Sequence, residues 1–207
     1  MPIAVSMSAL CLSAYLLGAV PFGLVIARVC KGVDPRRDGS GNVGATNVAR
    51  LCGLPWGLLT LACDLLKGFF PVFICQRLFA SETPFLCLLA GLAPVAGHMF
   101  SPFLRFRGGK GVATNVGVFL AAAPAQLLVA GAVCLLVIWR SGFVSAGSLS
   151  LTAVLPILLL ARSAWPLFCL SLITGALIAF AHRENIRRLL RGEEKPWIRP
   201  GSFKDTP

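Results

Sequence analysis

Long apolar stretches constrain this chain more than any other feature of its sequence. Apolar runs of about 20 residues are typical of helices that cross a bilayer. Six such runs occur, over residues 3–27, 54–79, 85–104, 112–139, 143–161 and 165–181. Only 13% of the 207 residues are charged, and a soluble body of this size cannot enclose so much apolar surface. The sequence therefore predicts an all-α membrane protein, and it excludes a secreted disulfide scaffold, a disordered chain and an ordinary cytosolic enzyme.

The run over residues 112–139 decides the predicted topology, because Pro124 lies near its middle. If this run is two helices, 16 of the 19 lysines and arginines lie on one side of the membrane and two on the other. If it is one helix, the split is nine to nine. Basic residues collect on the cytoplasmic side. We therefore expect seven transmembrane helices, two of them short (about 112–123 and 125–139), with the N-terminus outside and the C-terminus cytoplasmic.

A glycine-rich segment over residues 39–47, with the sequence GSGNVGATN, is the first polar motif. It contains G-x-G-x-x-G, but no βαβ unit surrounds it, so a dinucleotide-binding fold is not indicated. Glycines let backbone N–H groups converge on an anion, and the start of a following helix adds a favourable dipole. Arg50 is able to place two donors on one phosphate. A flexible turn is the alternative interpretation of this segment.

A second basic segment over residues 105–114, with the sequence RFRGGKGVAT, begins the short helix. It does not match the Walker A motif, since position 104 is Leu and position 111 is Gly. Gly-Gly-Lys-Gly before a helix is nevertheless suited to phosphate binding through Lys110. A basic turn at the lipid headgroups is the alternative, and it explains Arg105 and Arg107 better than the three glycines.

The other polar residues inside or beside the apolar runs allow two interpretations each. His98 is typical of a structural hydrogen-bonding residue, whereas polar residues follow His182 at the same membrane face. Asp64 and Lys67 share one helix face, where a functional role and a structural ion pair are equally compatible with the sequence. Ser145 is by default a helix N-cap residue.

Several reaction classes lack their required residues. No cluster of carboxylates is suited to paired magnesium ions, so no metal site is predicted. Neither histidine is followed by an Asp five positions later, as the H-x-x-x-x-D acyltransferase signature requires, and no G-x-S-x-G motif occurs. The eight cysteines are scattered and are interpreted as small buried apolar residues.

Four motifs in order closely resemble those of the bacterial membrane-integral acyl-phosphate:glycerol-3-phosphate acyltransferases. The resemblance runs from about Tyr15 to Glu194, and the motifs lie at residues 39–47, 64–68, 97–114 and 182–189. It implies a seven-helix fold with a cytoplasm-facing site in the bacterial plasma (inner) membrane. Residues 1–194 are expected to form a single domain, followed by a basic cytoplasmic tail over 195–207.

The resemblance also implies a reaction and a set of site residues. Acyl phosphate and sn-glycerol 3-phosphate would give lysophosphatidate and inorganic phosphate, with no cofactor and with neither coenzyme A nor acyl carrier protein as donor. The implied catalytic residues are Arg50, Lys110 and His182. The implied substrate- and phosphate-binding residues are Ser40, Asn42, Thr46, Asn47, Ser145 and Asn185, and the two glycine segments add Gly41, Gly44, Gly108, Gly109, Gly111 and Thr114 as predicted binding residues. Besides its substrates the expected partner is the lipid bilayer, with no nucleic acid, and the chain is expected to work as a monomer.

The chemistry favours direct transfer, because acyl phosphate is already an activated donor. The acyl tail needs an apolar slot, which the short helices around Pro124 are expected to provide. Either His182 or a substrate phosphate accepts the hydroxyl proton; we favour the phosphate, because no His–carboxylate pair is evident. Two alternatives stay open: a transporter for phosphorylated metabolites and a non-enzymatic lipid-binding module. The predicted placing of all polar segments on one face argues against the transporter.

Overall fold

The computed structural model describes residues 3–79 and 85–197, and over this range it is helical without β-strands. This confirms the all-α prediction. The helices are α1 Ile3–Ala19, α2 Phe22–Lys31, α3 Ala45–Cys52, α4 Leu54–Leu78, α5 Phe85–Met99, α6 Val112–Ala122, α7 Pro124–Ser141, α8 Val144–Ala161, α9 Trp165–Ala181 and α10 Arg183–Leu190, with a 3-10 turn at Pro102–Leu104. Backbone contacts divide the chain into two compact units, unit 1 (Met1–Ala123) and unit 2 (Pro124–Pro207).

The first apolar run, predicted as one span over residues 3–27, is one candidate span over Ile3–Lys31, but it is divided at Pro21 into α1 and α2. Proline has no backbone N–H and disfavours helical geometry at the residue before it. The carbonyl groups freed at the break receive side-chain donors instead: Ser101 Oγ donates to Ala19 at 2.6 Å and Lys67 Nζ donates to Val20 at 3.0 Å. Tertiary partners therefore stabilise a break inside an apolar stretch.

Glycines let the helices of unit 1 approach closely. Gly18 and Gly97 lie where α1 and α5 cross, and Gly68 and Gly117 lie where α4 and α6 cross. A Cβ atom at any of these four positions would collide with the backbone of the facing helix. Small residues at such crossings are typical of helix packing in membranes.

The run over 112–139 is divided where the sequence predicted, since α6 ends at Ala122 and α7 begins at Pro124. Only one of the two helices is short. With 11 residues α6 is about 16 Å long, and it is shielded because α4 packs along it. The prediction that 125–139 is also short is wrong: α7 has 18 residues, because Pro124 starts the helix and the α-helical turns continue to Ser141.

Unit 2 is built from α7 to α10. Gly147 allows α7 and α8 to pack closely, because a Cβ atom there would meet Ile138 and the backbone of Cys134. At His182 the chain bends by 64° between α9 and α10. After α10 the chain returns to the turn between α7 and α8, where Trp197 N–H donates to the carbonyl of Gly142 at 2.7 Å.

Among the described residues, four stretches are long and apolar enough to cross a membrane, and the bent pair of α9 and α10 makes a possible fifth. The four are Ile3–Lys31, Leu54–Leu78, Pro124–Ser141 and Val144–Ala161. The chain is therefore a helical membrane protein with several candidate spans. The count of seven and the orientation of the termini stay predictions, and most of the predicted tail lies outside the described residues.

Candidate active site

Asn47 organises the glycine-rich segment that precedes α3. Its side chain is buried, and its Nδ2 group donates to the carbonyls of Pro35, Asp38 and Asn42 at 2.9, 3.1 and 2.9 Å. Its Oδ1 atom accepts the N–H of Ser40 at 2.8 Å. The Asn47 amide therefore holds the loop together. This is a structural function, whereas the sequence predicted that Asn47 contacts a phosphate.

The loop conformation depends on glycine at two positions. Gly39 and Gly41 have φ values of 66° and 71°, in the left-handed region that other residues rarely adopt. A Cβ atom at Gly39 would also collide with the Asn47 side chain. The segment is therefore a loop with a defined conformation and defined hydrogen bonds, which argues against the flexible-turn interpretation.

Several amides of this loop are already used within it. Gly41 N–H donates to the carbonyl of Asp38 at 3.2 Å, and Gly44 N–H donates to Asn42 Oδ1 at 2.8 Å. The donors that the loop presents for an anion are therefore side chains and the amides of Ala45 and Thr46 at the start of α3, since the Asn47 N–H already donates to the carbonyl of Gly44 at 3.0 Å. Ser40 and Arg50 are exposed at either end of this stretch.

The second glycine segment packs against the end of α5. Gly108 N–H donates to the carbonyl of Met99 at 2.9 Å, and Gly109 N–H donates to the carbonyl of His98 at 3.1 Å. Cβ atoms at Gly108 and Gly109 would collide with His98. These two glycines are therefore explained by close packing, and their amides are committed to α5. Gly111, with a φ of 82°, is the N-cap residue of α6.

Polar groups cluster around the start of α6. Lys110 is half-buried directly before it. Thr114 and Asn115 are almost fully buried in its first turn, at 0% and 1% exposure, and Thr114 Oγ1 and Asn115 Oδ1 have no hydrogen-bond partner. Buried polar atoms are normally paired, so both atoms are candidates for contact with water or substrate. Asn115 was not among the predicted site residues, although a polar residue in an apolar helix close to Lys110 is a usable signal.

A charged cluster is buried deeper in unit 1. Lys67 Nζ lies 2.8 Å from Asp64 Oδ1, and His98 Nδ1 lies 3.6 Å from the same oxygen. The structure therefore shows Asp64 and Lys67 as an ion pair, one of the two interpretations left open by the sequence. It also brings a histidine near a carboxylate, at a distance too long for a hydrogen bond, which the sequence analysis did not anticipate.

In unit 2, Glu194 joins the predicted site residues Ser145 and Asn185. Its Oε1 atom accepts hydrogen bonds from Ser145 Oγ at 2.7 Å and Asn185 Nδ2 at 2.6 Å. Its Oε2 atom pairs with Arg188 Nε at 2.7 Å. Ser145 makes no helix-capping hydrogen bond, since Phe143 is the N-cap residue of α8, so the default N-cap interpretation is wrong. Glu194 was not among the predicted site residues, because its partners come from two separate segments, Ser145 from α8 and Asn185 and Arg188 from α10.

The hydrogen bonds of Glu194 lower the pKa of its carboxyl group. Burial by itself raises the pKa, but the hydrogen bonds from Asn185, Ser145 and Arg188 together bring it below the ordinary value of 4.5. Glu194 is therefore ionised at neutral pH, and its negative charge orders both Ser145 and Asn185.

His182 is buried at the junction of α9 and α10, at 2% exposure. Its Nδ1 atom lies 2.8 Å from the carbonyl oxygen of Ile178. A carbonyl oxygen only accepts hydrogen bonds, so Nδ1 carries the hydrogen, and a neutral imidazole then has its lone pair on Nε2. This tautomer leaves Nε2 as the ring atom with accepting capacity.

An apolar groove of about 430 Å³ lies between α8 and α9 within unit 2. Leu149 and Thr152 line it on α8, and Gly175 and Ala179 line it on α9. Because residues i, i+4 and i+7 share one helix face, Leu149 and Thr152 lie on the same face as Ser145. The groove therefore follows the helix face that carries the Ser145–Glu194 hydrogen bond.

Comparison with known proteins identifies the family. A family model described as glycerol-3-phosphate acyltransferase matches residues 8–192. The chain belongs to this family. The match includes both glycine segments of unit 1 and, in unit 2, Ser145, His182 and Asn185. It confirms the family predicted from the four motifs.

Individual acyltransferases of this family are similar over most of the chain. The glycerol-3-phosphate acyltransferases of Desulfovibrio desulfuricans and Lawsonia intracellularis are 54% and 51% identical, each over 90% of this chain and over 82% and 93% of their own lengths. The crystal structure of PlsY (YgiH), an integral membrane glycerol 3-phosphate acyltransferase, in its glycerol 3-phosphate form has a TM-score of 0.88 at 42% identity. It covers 92% of this chain and 95% of the PlsY chain. The lysophosphatidic acid form has a TM-score of 0.86.

Among the described residues of this acyltransferase, no group of three or more His, Cys, Asp or Glu side chains is arranged to hold a metal ion.

The predicted site residues themselves fall into two sets. Unit 1 contains the two glycine segments with Arg50, Lys110 and Thr114, and unit 2 contains Ser145, His182 and Asn185.

Proposed function

We propose that this glycerol-3-phosphate acyltransferase uses acyl phosphate as its donor, and transfers the acyl group to the C1 hydroxyl of sn-glycerol 3-phosphate. The products are lysophosphatidate and inorganic phosphate. The observation that carries the proposal is the presence in unit 1 of two ordered glycine segments, each followed by a helix and each accompanied by a cation, Arg50 or Lys110. Two such segments suit two phosphate-bearing substrates.

In the proposed reaction the C1 oxygen attacks the acyl carbonyl carbon, and the bond from that carbon to the phosphate oxygen breaks. Arg50, with Ser40, Thr46 and the first amides of α3, binds one phosphate. Lys110 stabilises negative charge as it moves onto the departing phosphate. In unit 2, Ser145 and Asn185 are ordered by Glu194.

The hydroxyl proton passes to a phosphate oxygen of the substrate in this proposal. His182 donates its Nδ1 hydrogen to a backbone carbonyl. A carboxylate partner would make the ring a stronger base, and the carbonyl supplies no such charge. This supports the phosphate as the acceptor and gives His182 a positioning function.

The acyl chain is proposed to lie in the apolar groove between α8 and α9. The groove has an almost wholly apolar lining, and it follows the helix face that carries Ser145. The helices around Pro124, where the sequence predicted an apolar slot, are the alternative location.

We further propose that residues 1–194 form a single domain with seven membrane spans. The chain is proposed to act as a monomer. The basic residues support an inner-membrane protein whose active site faces the cytoplasm, because 16 of 19 lie on one side in that topology. Turnover is proposed to need neither a metal ion nor a cofactor. The chain is also proposed not to bind nucleic acid.

Steady-state kinetics on detergent-purified variants test the proposal. Arg50→Lys keeps the charge but loses the planar two-donor group, so we expect a higher KM for glycerol 3-phosphate. Lys110→Ala is expected to lower kcat. Each loss is about ten- to a hundredfold, because a charge-assisted hydrogen bond contributes about 1.5–3 kcal/mol. Arg37→Ala is the matched control, since it removes an exposed cation beside the same loop.

Two results would overturn the proposal. Near-wild-type kinetics of both Arg50→Ala and Lys110→Ala would show that these cations do not bind substrate. Equal rates with acyl phosphate and with acyl thioesters would show that the donor is wrong.

A further inference from the structure

The buried residues Asp64, Lys67 and His98 of unit 1 have no part in the proposed chemistry. Their exposed fractions are 2%, 3% and 7%. An ion pair buried in an apolar environment costs much of its attraction in lost hydration, and apolar residues at the same positions are often as stable or more so. Ionisable residues inside membrane helices are therefore associated with function, so the contacts of these three need an explanation.

One end of this cluster holds the loop that carries Lys110. His98 accepts the Gly109 N–H on its backbone carbonyl at 3.1 Å, and its ring Nε2 occupies the space that a Cβ of Gly109 would need. The loop therefore rests on both the backbone and the ring of His98. On its other side the ring approaches Asp64, whose Oδ1 lies 3.6 Å from Nδ1.

The other end of the cluster reaches the first glycine loop. Lys67 Nζ lies 2.8 Å from Asp64 Oδ1 and donates to the carbonyl of Val20, at the break between α1 and α2, at 3.0 Å. Gly23, three residues after Val20 in the chain, lies directly against the backbone of Val43, which belongs to the first glycine loop. A displacement of Lys67 would therefore reach that loop through the first turn of α2.

We propose that Asp64, Lys67 and His98 form a positioning bridge, which sets the spacing between the two phosphate-binding loops of unit 1. Asp64 lies at the centre, with Lys67 leading to the loop before α3 and His98 leading to the loop before α6. This inference rests on the proposed function, because it takes both loops to bind phosphates. Spacing matters only when both substrates are held at reacting distance, so the bridge governs turnover more than the binding of either substrate.

The decisive variant replaces the ion pair by apolar residues of similar length, Asp64→Leu with Lys67→Met. We expect the melting temperature in detergent to stay near that of the wild type, because no unpaired charge is left buried. The KM for glycerol 3-phosphate is expected within about threefold of the wild type, and kcat about ten- to a hundredfold lower, since a displacement of about 1 Å has an effect of this size.

His98→Ala is the second variant, and it decides the question if the double variant does not fold. It leaves the ion pair intact and removes only the ring between Asp64 and the loop, so the same fall in kcat with little change in KM is expected. Thr60→Val is the matched control on α4. Thr60 is equally buried, but its hydroxyl donates only within its own helix, to Trp56 at 2.9 Å, so wild-type turnover is expected.

Wild-type kcat in the folded double variant or in folded His98→Ala would overturn the proposed bridge. Asp64 and Lys67 would then be interpreted as a purely structural ion pair. A rise in KM with unchanged kcat overturns it as well. Arg50→Ala and Lys110→Ala in the same assay keep this failure separate from failure of the proposed function. If those two variants are impaired and the bridge variants are not, only the bridge is wrong; if those two are also unaffected, the proposed function is wrong.

Discussion

Asn47 and Arg50 lie three residues apart on α3, yet the structure gives them different functions. Asn47 uses both ends of its amide inside the glycine loop, whereas Arg50 is exposed. The predicted set of site residues therefore combines a residue that builds the loop with an exposed cation that is proposed to bind the ligand. At the scale of single residues, hydrogen-bond geometry makes this distinction and residue type does not.

The hydrogen bond of the His182 ring likewise gives a prediction about the function of this residue. If a substrate phosphate accepts the proton, His182→Ala keeps a measurable fraction of turnover, and the low-pH limb of its kcat/KM pH profile is unchanged. A general base would instead contribute about 10²–10⁴-fold. A fall of that size, together with loss of the limb near the imidazole pKa, would show that His182 Nε2 is the proton acceptor.

Glu194 carries a prediction about pH. Because the pKa of Glu194 is lowered in the folded chain, its ionised form stabilises the fold above its ordinary pKa of 4.5, and this contribution is lost as the pH falls through the folded-state pKa. Glu194→Gln should therefore lower the melting temperature at pH 7 by a few degrees, on the order of 2–8 °C. The difference between wild type and variant should shrink below about pH 4.5; a difference independent of pH would mean that the charge of Glu194 is unimportant.

At the scale of secondary-structure elements, glycine packing sets the position of α6. Gly68 lies against the backbone of Thr114, a residue of the first turn of α6. Gly68→Val should strongly destabilise the protein, because the added carbons have no space. Gly131→Ala on α7 is the matched control, since nothing lies within 4 Å of an added Cβ there, and alanine favours a helix by about 1 kcal/mol. Thermal unfolding in detergent measures both, and equal melting temperatures would contradict the close crossing.

At the scale of the whole molecule, the proposed topology makes a testable claim about the two ends of the chain. In that topology the charge distribution predicts a cytoplasmic C-terminus and a turn at Ala123 toward the outside. In a background without native cysteines, an impermeant thiol reagent added to intact cells should label Ala125→Cys, which is exposed beside this turn, and leave Lys204→Cys unlabelled. Labelling of position 204 from outside would reject the seven-span arrangement.

The sequence by itself was sufficient for the helical membrane class, the family and the break at Pro124. These depend on local properties, namely apolar runs, motif order and the missing N–H of proline. Only the tertiary structure showed that Pro21 divides the first run, that Gly108 and Gly109 pack on α5, and that Glu194 orders Ser145 and Asn185. Those features depend on contacts between residues far apart in the chain, such as Lys67 with Val20 and Ser145 with Glu194. Folding creates these contacts, and no local pattern records which side chain will satisfy a given backbone group.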